Sequence, residues 1–196
     1  MTMSDARISM FAAPMSELVA KFTRTPPRSG VLMVGRVGDD EVSLTWERTE
    51  VEPVAVIRLD ATTSVARVAA HVAEAIEAEV ARWPKVETGG VLMGRYSEVA
   101  DVFYVTDVLD APPDSTRSAS EFILGTEGLR ARIDQYISRH NGALYCLGTW
   151  HSHLKAEGAS GTDRNTATIL AHARISPSLM VIHTPAGYRG LVAADV

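Results

Sequence analysis

The apolar run Ala143-Leu144-Tyr145-Cys146-Leu147 leads straight into Gly148-Thr149-Trp150-His151-Ser152-His153. A near-continuous apolar run of this kind reads as a buried strand. Side chains two apart on a strand share a face. His151 and His153 therefore leave the strand's end in one direction and Ser152 in the other. Ten residues after His153 comes Asp163, in a Ser160-Gly161-Thr162-Asp163 turn that opens an Ala/Leu/Ile-rich helical pattern. Two neutral imidazoles and a carboxylate form a common catalytic zinc set, with a fourth position open to water. Each half also has a plainer reading. The His pair could be a hydrogen-bonded surface pair, and Ser160 with Asp163 an N-cap and acidic first turn. The short loop between the halves brings all three donors into one locality, which favours metal binding.

The chain's 196 residues suit one domain with a sizeable core, with room for an appendage. Its net charge of −5 argues against a nucleic-acid partner held by bulk electrostatics. Cys146 is the only cysteine, which excludes an internal disulfide and any Cys-x-x-Cys metal site. Lying in the apolar strand, it reads as a packing residue. No apolar run is long enough to span a bilayer, and Asp5, Arg7 and Glu17 interrupt the N-terminus where a signal peptide would need an apolar core. The expectation is a soluble cytoplasmic protein with no membrane partner.

Residues 1–30 read as a flexible N-terminal segment ending in the linker Arg24-Thr25-Pro26-Pro27-Arg28-Ser29-Gly30. Residues 31–59 read as a β-rich N-terminal extension. Val31–Val34 and Glu41–Trp46 flank the turn residues Gly38-Asp39-Asp40, and Val54–Ile57 is a third short run. Residues 60–196 form the main domain. Val65, Val68, Ala69, Val72, Ile76 and Val80 predict a helix over 63–82, capped by Thr62, Thr63 or Ser64 and stopped before Pro84. Strands are expected around Val91, over Asp101–Leu109 and Ser120–Leu124, at Leu179–Ile182 and at Tyr188–Val192. Thr126 is placed to cap a helix bearing Leu129, Ile133 and Tyr136, which Asn141-Gly142 stops; a last helix runs from about Thr162 to Arg174. This order gives an α/β (α+β) fold with a mixed, largely antiparallel sheet flanked by helices.

Three motifs then stand in one order: Glu87-Thr88-Gly89-Gly90-Val91-Leu92-Met93-Gly94, His151-Ser152-His153, and Ser160-Gly161-Thr162-Asp163. Together they resemble the JAB/MPN domain family with an intact JAMM metalloprotease motif, and most closely its prokaryotic, deubiquitinase-like JAB branch. The resemblance spans about Asp60 to Val196 and implies the JAB/MPN (cytidine-deaminase-like) architecture. It implies Zn²⁺ held by His151, His153 and Asp163, with Glu87 as general base and Ser160 as hydrogen-bond donor to the oxyanion or to the bound water. The substrate it implies is a peptide or isopeptide bond after the C-terminal tail of a ubiquitin-like protein, cut in deconjugation or precursor processing. Some members of this branch are encoded with, or fused to, ubiquitin-activating-like enzymes, and some belong to antiphage conjugation systems. Activating or conjugating enzymes of the same locus are therefore expected partners. An extended tail suits strand addition beside the site, with the 110–120 loop and the strand near Glu87 as its groove.

Leu154 stands where many members have proline after the second His, and the spacing from His153 to Ser160 is short. Both change the loop beside the site and neither changes a ligand. Read alone, Glu87 is an ordinary solvated glutamate at a strand's entrance. Rival functions are a peptidase that processes a sulfur-carrier protein, a non-catalytic MPN scaffold and a nuclease-associated JAB variant. A zinc deaminase needs His-x-Glu with Pro-Cys-x-x-Cys, and neither occurs. Trp46, Trp83, Tyr104 and Trp150 read as packing residues. His71, His140, His172 and His183 have no spacing partner and read as non-ligands.

Overall fold

The computed structural model describes residues 31–37, 42–48, 55–60, 62–98, 100–173, 175 and 177–194. The chain divides into two compact units, Met1–Val51 and Glu52–Val196. The expected linker at 1–30 and the turn at Gly38–Asp40 lie outside the described residues. In the first unit, β1 (Val31–Val37) and β2 (Val42–Arg48) pair antiparallel, Val31 opposite Arg48 and Val37 opposite Val42.

The second unit runs β3 (Ala55–Asp60), β4 (Val65–Val68), α1 (Ala70–Arg82), β5 (Gly89–Ser97), β6 (Val102–Asp110), β7 (Thr116–Arg117) and β8 (Phe122–Ile123). It continues with α2 (Leu129–Arg139), β9 (Tyr145–Ser152), α3 (Gly161–His172), β10 (Ser178–Thr184) and β11 (Gly187–Ala193). The sheet closes into a barrel in the order β10-β11-β3-β4-β6-β5-β9, with β9 returning to β10; among the described residues β7 and β8 pair only with each other. Neighbours are antiparallel at β10–β11, β3–β4, β5–β6 and β5–β9, and parallel at β11–β3, β4–β6 and β9–β10. The sheet is mixed as expected, but closed. Parallel neighbours need crossovers rather than hairpins, and β9–α3–β10 supplies one.

Ala55–Asp60, read from the sequence as the end of an N-terminal extension, is instead a barrel strand. Ile57 and Leu59 are buried while Val56 and Arg58 face out, the alternation of a sheet with one covered face. The helix expected over 63–82 begins only at Ala70. Val65–Val68 is a strand between β3 and β6, with Ala66 and Val68 buried and Arg67 outside. The spacing Val65, Val68, Val72 imitates a helix, but β-branched residues in alternation also fit a strand, and pairing on both sides decides it. Thr63 and Ser64 cap nothing; their hydroxyls donate to the Asp101 carboxylate at 2.8 and 2.5 Å. Thr126 is likewise no side-chain cap. The N-cap position of α2 is Gly128 in the left-handed region, φ 67°. Asn141 and Gly142, both at positive φ, do stop α2, and the Gly142 N–H donates to the Ile137 C=O at 2.8 Å.

Two layers of apolar packing flank β10. Val72, Ala73 and Ile76 of α1 share a core with Leu92, Phe103, Leu147, Trp150, Leu179 and Val181. Ala167 of α3 packs with Met180, Ile182 and Leu191. Along β10, odd residues therefore meet α1 and even residues meet α3, as the period of two requires. Trp150 is a packing residue as read, whereas Trp83 at the end of α1 is 37% exposed. No helix among the described residues is long and apolar enough to cross a membrane.

Candidate metal centre

The register of β9 decides where the histidines point. His151 lies opposite Ile182 of β10, on the face that meets α3. His153 follows beyond the end of β9, and its N–H donates to the His183 C=O at 2.8 Å, which keeps it aligned with the strand. Asp163 stands in the first turn of α3. His151 Nε2 is 3.0 Å from His153 Nε2 and 3.2 Å from Asp163 Oδ1; His153 Nε2 is 3.5 Å from Asp163 Oδ2. The Ser160 N–H donates to Asp163 Oδ2 at 2.6 Å, and the Asp163 N–H donates to Ser160 Oγ at 3.1 Å. This capping box is the plain reading of Ser160–Asp163, and it is present. It also fixes Asp163 Oδ2 and leaves Oδ1 turned to His151. The two readings of the motif describe one geometry.

Burial opposes ionisation of Asp163, yet hydrogen bonds from His151 and Ser160 outweigh it and hold the carboxyl well below the usual carboxylate range. A carboxylate facing two imidazoles, all little exposed, is a borderline N/N/O donor set suited to a zinc-like ion. Ligand atoms 2.0–2.1 Å from a tetrahedral ion lie about 3.3–3.4 Å apart, close to the spacings found here. Among the described residues, His71, His140, His172 and His183 do not join this cluster.

Glu87 reaches the same face through the ladder. Gly89 of β5 lies opposite His151, the Ser152 N–H donates to the Thr88 C=O at 2.7 Å, and the Thr88 N–H donates to Ser152 Oγ at 3.0 Å. Thr88 thus stands opposite Ser152, and Glu87 is the residue just before it. Ser152 points away from the cluster, as read. Glu87 is only 9% exposed, not the solvated residue that its type and position suggest. Burial pushes its carboxyl above the ordinary value, although His153 and His151 pull the other way.

A cleft of about 1000 Å³ is lined by Glu87, His151, His153, Ser160 and Asp163, with Ala119–Thr126, Leu154, Lys155 and Glu157, and Thr166 and Leu170 of α3. The groove expected from the 110–120 loop begins only at Ala119. Asp114 is occupied elsewhere, accepting from the N–H groups of Thr126 and Glu127 at 2.9 and 3.1 Å. Phe122, of β8, packs over Gly89. A Cβ on Gly89 would sit 2.5 Å from Phe122 Cε1 and 2.3 Å from the Trp150 carbonyl oxygen. Gly89→Ala is therefore expected to lower stability by about 1–3 kcal/mol through overpacking, and to loosen the β5–β9 contact beneath the histidines. Urea denaturation checks this; an unchanged midpoint would show that both Phe122 and the Trp150 carbonyl make room at no cost.

Residues 69–191 match the family described as prokaryotic homologs of the JAB domain. The chain is 32% identical over 95 residues to a Sinorhizobium fredii protein named "Probable metalloprotease y4qB", which covers 47% of this chain and 57% of that protein. It is 31% identical over 114 residues to a protein of Enterobacter hormaechei subsp. hoffmannii named "CD-NTase/cGAS isopeptidase", covering 55% of this chain and 62% of that one. In both cases the chain spans less than two thirds of the curated relative. The family match takes in Glu87, both histidines, Ser160 and Asp163, and it covers well over half of the sequence. The chain belongs to the family of prokaryotic JAB-domain homologues.

Proposed function

We propose that the chain is a zinc-dependent peptidase or isopeptidase that cuts the bond after the C-terminal tail of a ubiquitin-like protein. The observation that carries this is the convergence of His151, His153 and Asp163 beside a buried Glu87 in one cleft. Bound by those three residues, zinc supplies Lewis-acid polarisation of the scissile carbonyl and brings the ionisation of water close to neutral pH. Glu87 takes the proton of the attacking water on its carboxylate and passes it to the departing amine nitrogen. Its burial raises its proton affinity, which suits a group that must both accept and return a proton. Ser160 lines the cleft beside Asp163, and its hydroxyl, which also hydrogen-bonds the Asp163 carboxylate, is the donor this reading turns to the oxyanion.

The names of the two relatives support metal-dependent hydrolysis, and the isopeptidase name favours removal of a conjugate over processing of a sulfur carrier. A scaffold has no need of three convergent donors with a buried carboxylate beside them. Enzymes of a conjugation pathway encoded at the same locus are the partners this reading requires. Its test is a cleavage assay on a ubiquitin-like protein from that locus, extended at its C-terminus by a short peptide. Chelation should abolish cleavage and added zinc restore it. Full activity in protein shown to be metal-free would defeat the proposal.

A further inference from the structure

Glu87 lies outside β5, between the end of α1 and Gly89, where a bare connection would leave it mobile. A cluster of side chains behind it answers that problem. Thr88 is fully buried; its Oγ1 donates to Glu79 Oε1 and accepts from Arg117 Nε, each at 3.1 Å. Glu79, in the last turn of α1, also accepts from Trp83 Nε1 at 2.9 Å and pairs with Arg82 at 2.8 Å. Arg117 Nη2 is 3.6 Å from Glu79 Oε1, and the two side chains are only 16% and 11% exposed. The Arg117 guanidinium stands 4.6 Å from the centre of the Trp83 ring and 5.6 Å from that of Phe122. A planar cation held by hydrogen bonds between ring faces is far more fixed than a surface ion pair. Next to Arg117, the Ser118 C=O accepts the Glu87 N–H at 2.7 Å. Neither Arg117 nor Glu79 is among the residues lining the cleft.

We infer that Arg117, Glu79 and Thr88 form a positioning clamp that holds Glu87 at the cleft and ties the Ala119–Thr126 segment to it. This rests on the assignment of Glu87 as the base. The Arg117–Ser118 stretch acts on Glu87 twice, directly through the Ser118 carbonyl and through Thr88 by way of Arg117. A carboxylate displaced by about 1 Å loses most of its value as a base, on the order of 10²-fold.

Arg117→Met tests the clamp gently, because Glu79 keeps Trp83, Thr88 and Arg82 as partners. Thr88→Val removes the bridging hydroxyl at nearly constant volume. In both, amide exchange at Glu87 and Thr88 should quicken by about tenfold or more through local opening, while Leu92 and Val181 keep their protection. On the same peptide-extended ubiquitin-like protein, kcat should fall about 10–100-fold with KM little changed and zinc content intact. Arg117→Lys should rescue only part, since an ammonium cannot replace the stacked fork. Unchanged exchange at Glu87 and Thr88 together with unchanged kcat, in a folded variant, would overturn the clamp. Should Arg117→Met fail to fold, Thr88→Val decides alone. If Glu87→Gln proves fully active, the base assignment fails while the exchange result still stands. If Glu87→Gln is inactive and the clamp variants are normal, the clamp alone fails.

Discussion

Glu87→Gln is expected to leave zinc bound and to lower kcat by about 10²–10⁴-fold, the usual worth of a positioned acid or base. The amide is nearly isosteric, so the cleft should keep its shape. It cannot accept a proton, so the loss should fall on kcat and leave KM nearly unchanged. Glu87 lines the cleft but stands outside the His–His–Asp cluster, which is why metal content should not follow activity. Near-normal turnover by a zinc-loaded Glu87→Gln protein would remove Glu87 from the mechanism. Activity lost together with zinc would make it a ligand or a structural support instead.

His151→Ala and His153→Ala are each expected to take metal content from about one zinc per chain to near none. Loss of an outer-shell partner typically costs 10–100-fold in affinity, and loss of one of three direct ligands should cost more. Thermal stability should become insensitive to added zinc, because stabilisation by a ligand depends on its affinity for the folded state. Both variants should fold, since β9 is held in the barrel by its pairing with β5 and β10 rather than by the imidazoles. Elemental analysis and thermal melts with and without zinc measure this. Wild-type zinc stoichiometry in both variants would break the ligand assignment.

The parts of the site that follow from local spacing were legible in the sequence. His151 and His153 share a face because a strand alternates, and Ser160 and Asp163 form a capping box because a helix starts there. Glu87 was legible only through family resemblance, since nothing in its neighbourhood predicts burial. Its backbone is held by the Ser118 carbonyl, and the next residue, Thr88, is tied to Ser152, both far off in the chain. Arg117 and Glu79 left no trace for the same reason; a long sequence separation hides a pair that the fold brings within 3.6 Å. The start of α1 was misplaced because Val65 and Val68 fit either period, and only their neighbours β3 and β6 settle it. Closure of the barrel is likewise a non-local property. It depends on β11 meeting β3 over two register pairs, Gly190 with Leu59 and Leu191 with Asp60.

Closure has a consequence for any extended peptide in the cleft. A sheet accepts a new strand only along an unpaired rim. β5 and β9, which carry the site, each already have two neighbours, so they offer no vacant rung there. Beside the cleft, the short ribbon of β7 and β8 pairs with no further strand among the described residues, and its Phe122 and Ile123 line the cavity. A guest backbone would find few main-chain partners on so short a ribbon. Its grip would depend on side-chain fit against Phe122, Ile123 and Leu154.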